Sequence, residues 1–321
     1  MSDARIRLGV VMDPIETIKP AKDTTLAMLL EAQRRGYEIL YMTQADLFVL
    51  GGRLHGRMRP LRVADDTANW FSLGEPVDAG PGDLDVILMR KDPPFDMEFV
   101  YTTYLLERAE EHGVLVVNRC AALRDVSEKA YTMWFPDLTP PTLITRSMAE
   151  MRRFLEAQGH IVVKPLDGMG GRSIFVLRAG DPNTGVVIET LTDHGHRFAM
   201  AQRYVPEIVE GGDKRILLID GAPYPHARAR IPAKGESRGN LAAGAKGVGR
   251  DLTGRDREIA ERVGAVLREK GILFAGLDVI GDYLTEINVT SPTGVRELER
   301  AYGDNICQGL FEAIERRLGT R

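Results

Sequence analysis

Gly276-Leu277-Asp278-Val279-Ile280-Gly281-Asp282-Tyr283-Leu284-Thr285-Glu286-Ile287-Asn288-Val289-Thr290-Ser291-Pro292 reads as two short apolar strands joined by a tight turn. Residues i and i+2 of a strand point to the same face. Glu286 and Asn288 therefore share one face of the second strand, and Asp278 stands on the first. Oxygen-bearing side chains on an otherwise apolar hairpin call for a partner. A hard cation such as Mg²⁺, shared with the phosphates of a nucleotide, suits them.

The turn sets a condition on this reading. A two-residue loop, Gly281-Asp282, would place Asp278 opposite Thr285, on the wrong side from Glu286. A three-residue loop, Gly281-Asp282-Tyr283, pairs Asp278 directly with Glu286, and such loops often carry a glycine-assisted bulge. The metal reading thus expects the odd residue in the loop.

Working outward, 321 residues leave room for two or three domains with cores of their own. The hydrophobic fraction of 44% and charged fraction of 27% are those of a globular protein. A net charge of −4 gives no general reason to expect nucleic acid or membrane. Positive charge is instead local, which suits small anions. Cys120 and Cys307 lie far apart and outside any CxxC, which argues for a reducing compartment and against a disulfide framework or zinc. Met1-Ser2-Asp3-Ala4-Arg5 has no apolar leader behind it, and no window approaches 18 uninterrupted apolar residues. The expectation is a cytoplasmic protein.

The first third alternates strand and helix. Strands are expected at 6–12, 37–42, 86–89 and 114–117, with helices at 24–35, capped by Thr24 or Thr25, and at 95–112. This β-α-β pattern predicts a parallel sheet with helices packed on it, with 51–82 as hairpin and loop. After about residue 120 the pattern changes. A short helix at 127–135 precedes Pro136, Pro140 and Pro141. A helix (148–158), a strand (161–164), a glycine loop and a strand (173–177) follow. Residues 198–205, 214–219 and 224–230 read as antiparallel strands. Helices are expected at 253–270 and 304–318. The fold class is α/β, becoming α+β in the second part, with units at 1–122, 123–200 and 201–321.

Two further motifs carry chemistry. Lys164-Pro165-Leu166-Asp167-Gly168-Met169-Gly170-Gly171-Arg172-Ser173 ends a strand on a lysine and enters a glycine-rich turn. Glycines let backbone N–H groups face a phosphate, and the lysine adds a point charge. No Gly-Lys-[Ser/Thr] follows, so it is not a Walker A loop, and no long helix follows, so it is not a dinucleotide fingerprint. The second motif, Arg228 to Gly247, is polar, basic and glycine-rich. A loop of this kind is either a lid that clamps phosphoryl oxygens or a solvated surface segment. No His pattern suits zinc, and no nucleophile elbow is present.

Taken in order, these pieces resemble the ATP-grasp superfamily, and within it the bacterial glutathione synthetases. The likeness spans nearly the whole chain. It rests on Val11-Met12-Asp13-Pro14-Ile15, Met89 to Asp96, Leu123-Arg124-Asp125 with Glu128-Lys129, Lys164 to Gly171, Arg238-Gly239-Asn240-Leu241-Ala242-Ala243-Gly244 and Thr285 to Thr293. The resemblance implies an ATP-grasp fold: an N-terminal parallel α/β domain, a central lid domain and a C-terminal antiparallel-sheet domain. It implies ATP-dependent joining of γ-glutamylcysteine to glycine through an acyl phosphate, with Mg²⁺ (or Mn²⁺), in a homotetramer contacting through its N-terminal region.

The resemblance also implies roles. Lys129 and Lys164 match the phosphate lysines, and Gly168, Gly170 and Gly171 the phosphate-covering loop. Gln202, Arg203, Tyr204 and Val205 match the adenine hinge, and Asp213 the ribose position. Asp278, Glu286 and Asn288 match the metal ligands. Arg215 and Asn288 would touch phosphate, and Arg238, within the 231–247 loop, the acyl phosphate. Asp13, Arg90, Lys91, Arg230, Arg238 and Ser291 are candidates for the peptide substrate. Two other readings stay open here: another carboxylate–amine ligase of this fold, such as one joining D-alanines, and a nucleotide-binding module without turnover.

Overall fold

The computed structural model of the chain describes residues 5–168, 171–232 and 246–319. Eight strands build the first sheet: β1 (Arg7–Val11), β2 (Glu38–Met42), β3 (Leu47–Leu50), β4 (Arg53–Val63), β5 (Phe71–Leu73), β6 (Val77–Ala79), β7 (Val86–Met89) and β8 (Leu115–Val117). Their main order is β3-β4-β2-β1-β7-β8, with β5 and β6 pairing β4. β1 pairs in parallel with β2 and β7, and β7 with β8. These strands are continuous apolar runs because helices cover both faces of the sheet. The helices are α1 (Thr24–Arg34), α2 (Met97–Glu110) and α3 (Cys120–Asp125).

The cap of α1 differs from expectation. Asp23, not a threonine, accepts from the Leu26 N–H at 2.6 Å. Thr24 and Thr25 face inward instead: Thr25 Oγ1 accepts from Arg90 and Thr24 Oγ1 from the Val295 N–H. Their hydroxyls serve contacts between distant segments, which local sequence does not announce.

A second, four-stranded antiparallel sheet runs β11-β10-β12-β9, from β9 (Thr142–Thr145), β10 (His160–Pro165), β11 (Phe175–Arg178) and β12 (Ala199–Arg203). With α4 (Met148–Gln158) and α5 (Thr184–Thr192) it buries its own small core around Met151, Leu155, Ile161, Val163 and Ile188. The third sheet, β15-β14-β13-β16-β17, comprises β13 (Asp213–Ile219), β14 (Ala222–Ile231), β15 (Lys246–Asp251), β16 (Phe274–Ile280) and β17 (Tyr283–Asn288), after the single turn α6 (Ile208–Gly211). It is backed by α7 (Gly254–Glu269), α8 (Val295–Tyr302) and α9 (Ile306–Gly319). Ile216, Leu277, Leu284 and Ile287 join Val11, Leu40 and Ile87 in one core, so the first and third sheets share an interior that the second does not.

The closing hairpin corrects the expected loop. Ile280 pairs with Tyr283, so the loop is the two-residue Gly281-Asp282. Gly281 sits at φ +56°, as the first position of such a turn requires. The extra residue is in the strand: pairing passes from Val279↔Leu284 to Asp278↔Glu286, leaving Thr285 bulged. Asp278 and Glu286 thus come into register by a different device.

Several elements escape the sequence reading. β3, β9, α3, α5, α6 and α8 are absent from it, and β15 lies in a stretch read as loop because of its glycines. There a Cβ on Gly247 would stand 2.9 Å from Arg228 Nε, and one on Gly249 2.8 Å from the Tyr302 ring. The glycines make room for side chains crossing a strand; they do not mark a coil.

Candidate active site

A cavity of about 340 Å³ lies between the second and third sheets. One end is apolar, lined by Val162, Ile174, Val176, Val205, Ile208 and Ile280. Gln202, Arg203, Tyr204 and Val205 line it where β12 leaves its sheet. The Arg203 and Tyr204 N–H groups are already bonded to the Pro141 and His160 carbonyls at 2.9 Å each. Arg203 also donates to the Tyr283 hydroxyl at 2.9 Å.

The other end is charged, and the charges fall in rows. Glu286 pairs with Asp278 across β17 and β16, Asp278 with Arg215 on β13, and Arg215 with Arg228 on β14. A second row sets Asp213 opposite Arg230. Four strands therefore carry one line of buried charge across the sheet: two acids, then two arginines. The Thr285 bulge joins Glu286 to that line.

Each acid is matched. Asp278 accepts from Arg215 at 2.5 Å and 2.9 Å, and Arg230 lies 2.7 Å from its Oδ2. Arg230 also pairs with Asp213. Burial alone would raise the Asp278 pKa, but Arg215 and Arg230 hold it below the usual carboxylate range. Lys164 and Lys129 converge on Glu286 Oε1 at 3.3 Å and 3.6 Å. Burial again opposes the charge, and the two lysines outweigh it, so Glu286 stays ionised. Lys164 donates as well to the carbonyl of the bulged Thr285 at 3.3 Å. Lys129 donates to the Gly168 carbonyl at 2.6 Å, tying the glycine turn to the site.

Two acids behave in the opposite way. Burial, with Glu286 beside it, pushes Glu128 up to about 8. Burial and the neighbouring Asp278 and Glu286 push Asp213 up to about 7. Glu128 carries no assigned role in the sequence reading. It is positioned by β17, whose Ile287 N–H donates to the Glu128 carbonyl at 2.8 Å.

Of the residues singled out from sequence, Lys164, Gly171, Gln202, Arg203, Tyr204, Val205, Asp213, Arg215, Arg230, Asp278, Glu286, Asn288 and Ser291 line this cavity, with Lys129 and Gly168 bonded beside it. Asp13, Arg90 and Lys91 do not line it. Lys91 pairs with Asp13 at 2.9 Å, and Asp13 accepts from the Asp92 N–H at 2.9 Å. Asp92 and Pro93 line the cavity in their place. Arg90 is buried, donating to Thr25 at 3.0 Å and to the Pro292 carbonyl at 3.1 Å. Gly170, Arg238 and the 233–245 part of the expected lid lie outside the described residues.

Sequence reasoning missed two residues that shape the site. Asn118 donates to the Phe274 and Val289 carbonyls at 2.7 Å and accepts from the Leu273 and Phe274 N–H groups, fastening the metal-like hairpin to the end of β8. Arg228 lies in the cavity wall with only 6% exposure. No local signal marks either: a lone Asn after a strand and an Arg in a basic stretch are ordinary.

Does this set suit Mg²⁺? Among the described residues no group of three or more His, Cys, Asp or Glu side chains forms a ready cage. Mg²⁺ is usually held by one or two carboxylates together with substrate phosphates. Asp278, Glu286 and Asn288 supply hard oxygens on one face, and Asn288 is oriented by donating through Nδ2 to the Gly276 carbonyl at 3.3 Å. The donors fit, provided that Lys129 and Lys164 turn from Glu286, and Arg215 and Arg230 from Asp278, toward phosphate.

The comparisons with known proteins run the length of the chain. The family model for the prokaryotic glutathione synthetase N-terminal domain matches residues 6–124, and that for the ATP-grasp domain of the same family matches 128–303. A glutathione synthetase of Pseudomonas syringae pv. tomato is 59% identical over 316 residues, covering 98% of this chain and 99% of the relative. One from Salmonella typhimurium is 58% identical over 313 residues, with the same coverage. Among solved structures, a D-cycloserine synthetase superposes with a TM-score of 0.66 at 16% identity, over 97% of this chain and 99% of that one. The D-alanyl-alanine synthetase A of Vibrio cholerae gives 0.60 at 12%, over 98% and 99%. At such identities these structures speak for the fold alone.

Proposed function

The chain belongs to the prokaryotic glutathione synthetase family and is an ATP-dependent ligase that makes glutathione; from that premise we propose which of its residues do the work. The observation that carries the assignment is the convergence of Lys164 and Lys129 on Glu286, in register with Asp278 and Arg215, at the charged end of a cavity whose other end is apolar.

The adenine lies in the apolar end against Gln202, Arg203, Tyr204 and Val205, with Asp213 near the ribose. Lys129 and Lys164 take the phosphates, and the glycine turn at Gly168, Gly170 and Gly171 covers them. Asp278, Glu286 and Asn288 would hold Mg²⁺, or Mn²⁺ in its stead, which supplies charge neutralisation for the transferring phosphoryl group. Arg215 and Arg230 are placed to stabilise charge on the reacting carboxylate and phosphate. The cysteinyl carboxylate of γ-glutamylcysteine attacks the γ-phosphorus, ADP leaves, and the amine of glycine then displaces phosphate from the acyl phosphate. Arg238 and the loop around it keep water from that intermediate. Ser291 contacts peptide substrate, while Arg90, Asp13 and Lys91 act through neighbours of the cavity wall, Arg90 by holding the Pro292 carbonyl and Asp13, paired with Lys91, by holding the Asp92 N–H.

The same premise suggests a homotetramer. The exposed Phe48, Val49 and Leu50 of edge strand β3 and Met97, Tyr101 and Tyr104 of α2 offer it a contact surface. Among the described residues no helix is long and apolar enough to cross a membrane. Cys120 and Cys307 are buried and free, which fits a cytoplasmic setting.

ADP release, measured with γ-glutamylcysteine plus glycine and again with D-alanine, tests the reading. Release is expected with the first pair, and its abolition by chelation of divalent cations checks the metal. Nucleotide binding without release for any pair would replace the enzyme with a binding module.

A further inference from the structure

Among the described residues the buried cations of the cavity differ in how fully carboxylate occupies them, and Arg230 has one nitrogen, Nε, without a partner. Arg215 grips Asp278 through two nitrogens, Arg230 bridges Asp213 and Asp278, and Lys164 and Lys129 share Glu286. Arg228 is the guanidinium least engaged. Its Nη2 lies 3.1 Å from Glu297 Oε1, a single contact. Its Nε has no partner, nor has the second oxygen of Glu297, among the described residues. Arg215 and Arg230, both cations, stand beside it on the same face. Burial and these two neighbours work against its charge, with only Glu297 opposing them. A buried guanidinium with spare donors and like charges around it is a place for an anion.

The surroundings are built to keep that place open. Gly247 on the edge strand has no Cβ where one would press on Arg228 Nε at 2.9 Å. Ser291 and Thr293 line the same cavity on the loop leading into α8, the helix that supplies Glu297. Along the register line, Arg228 is the member furthest from Glu286, with Asp278 and Arg215 between. The phosphoryl chemistry belongs to the Glu286 end. Arg228 thus faces parts of the substrates that do not react.

We propose that Arg228, steadied by Glu297, is the specificity-determining docking point for a spectator carboxylate of the amino-acid substrates. The inference rests on reading the cavity as the ligase site. Two such carboxylates exist: the α-carboxylate of the glutamyl residue in the dipeptide, and the carboxylate of glycine. Neither is consumed. Binding energy gathered at such a group holds the reacting atoms in line, and a site built for it rejects a substrate that lacks it.

Steady-state kinetics on the Arg228→Met enzyme separate the sources. In one arm the dipeptide is compared with 4-aminobutyryl-cysteine, which lacks the glutamyl α-carboxylate. In the other, glycine is compared with methylamine. Wild-type enzyme is expected to discriminate against the analogue missing the docked carboxylate, and Arg228→Met to lose about tenfold or more of that discrimination. The KM of the corresponding true substrate should rise by a similar factor, while that of ATP stays within about twofold. Arg228→Lys should recover part of the loss. Because Arg228→Met strands a buried Glu297, the double variant Arg228→Met/Glu297→Gln removes both charges and keeps the test available if the single variant folds poorly. Unchanged discrimination in both arms overturns the proposal. So does a loss shared equally by ATP and both amino-acid substrates, the mark of a structural role. Absence of ADP release by wild-type enzyme would instead defeat the ligase assignment, a separate outcome.

Discussion

Strands β1 and β7 of the first sheet and β13 and β16 of the third are buried to much the same degree, yet they do different work. β1 and β7 carry no charge beyond Arg7, and both faces meet hydrophobic neighbours. β13 and β16 hide Asp213, Arg215 and Asp278 on one face and, apart from Lys214 paired with Asp256, apolar side chains on the other. Burial alone therefore does not separate a core from a site. What separates them is whether the charges of a buried face line up across strands, and that depends on register.

The largest effect is expected where the line ends. Glu286→Gln should lower turnover well over tenfold with folding intact, since metal-held phosphate charge is worth several kcal/mol. ADP-release kinetics beside a thermal melt check this, and near-normal turnover would sink the role given to Glu286. The apolar sheet should respond in the converse way. Leu88 is fully buried in β7, so Leu88→Ala should cost about 3 kcal/mol in denaturant melts. Its turnover per folded molecule should stay near that of wild type, and a large fall in kcat would blur the contrast.

A smaller effect probes the face of the third sheet that turns away from the cavity. Gly264 of α7 packs backbone against backbone: its Cβ would fall 2.0 Å from the Gly221 carbonyl oxygen. Backbone cannot rotate aside, so Gly264→Ala should destabilise by about 2 kcal/mol or more, read by the same melts. A silent substitution would show that helix and hairpin can slide apart freely.

The smallest effect tests whether a saturated buried acid is structural. Glu31 accepts from Arg34, Arg35 and Asn305 at 2.6–2.9 Å, joining α1 to the segment before α9. Burial would raise its pKa, but these hydrogen bonds prevail and bring it down to about 2. A depressed carboxyl stabilises the fold above its unfolded pKa and loses that contribution as pH falls through the folded one. Glu31→Gln should thus cost about 2 kcal/mol at neutral pH. The gap from wild type should narrow as pH falls from about 4.5 toward 2 and stay level between about 6 and 8. A gap that widened on acidification would reverse the assignment, and a change in kcat would make Glu31 more than structural.

Much of this was legible in the chain. The apolar runs 6–12 and 86–89 were readable as parallel strands because both faces are covered, which leaves a continuous hydrophobic signature. Lys164 with its glycine turn, and Glu286 with Asn288, were readable because their spacing is local. The bulge at Thr285 was not, since a strand of suitable residues looks the same with or without one. β15 was hidden because its glycines answer to Arg228 and Tyr302, both distant in sequence. Arg228 itself was indistinguishable from any other basic residue in a basic stretch.

The amino-acid sequence by itself determined the alternation of strands and helices, the kinds of charge available and the family to which the chain belongs, because each depends on local pattern or on whole-chain likeness. The tertiary structure decided which charges meet. Antiparallel register, one bulged threonine and the glycines of an edge strand turn scattered residues into a line from Glu286 to Arg228. Those choices are made by contacts between strands far apart in the chain, where no sequence window reaches.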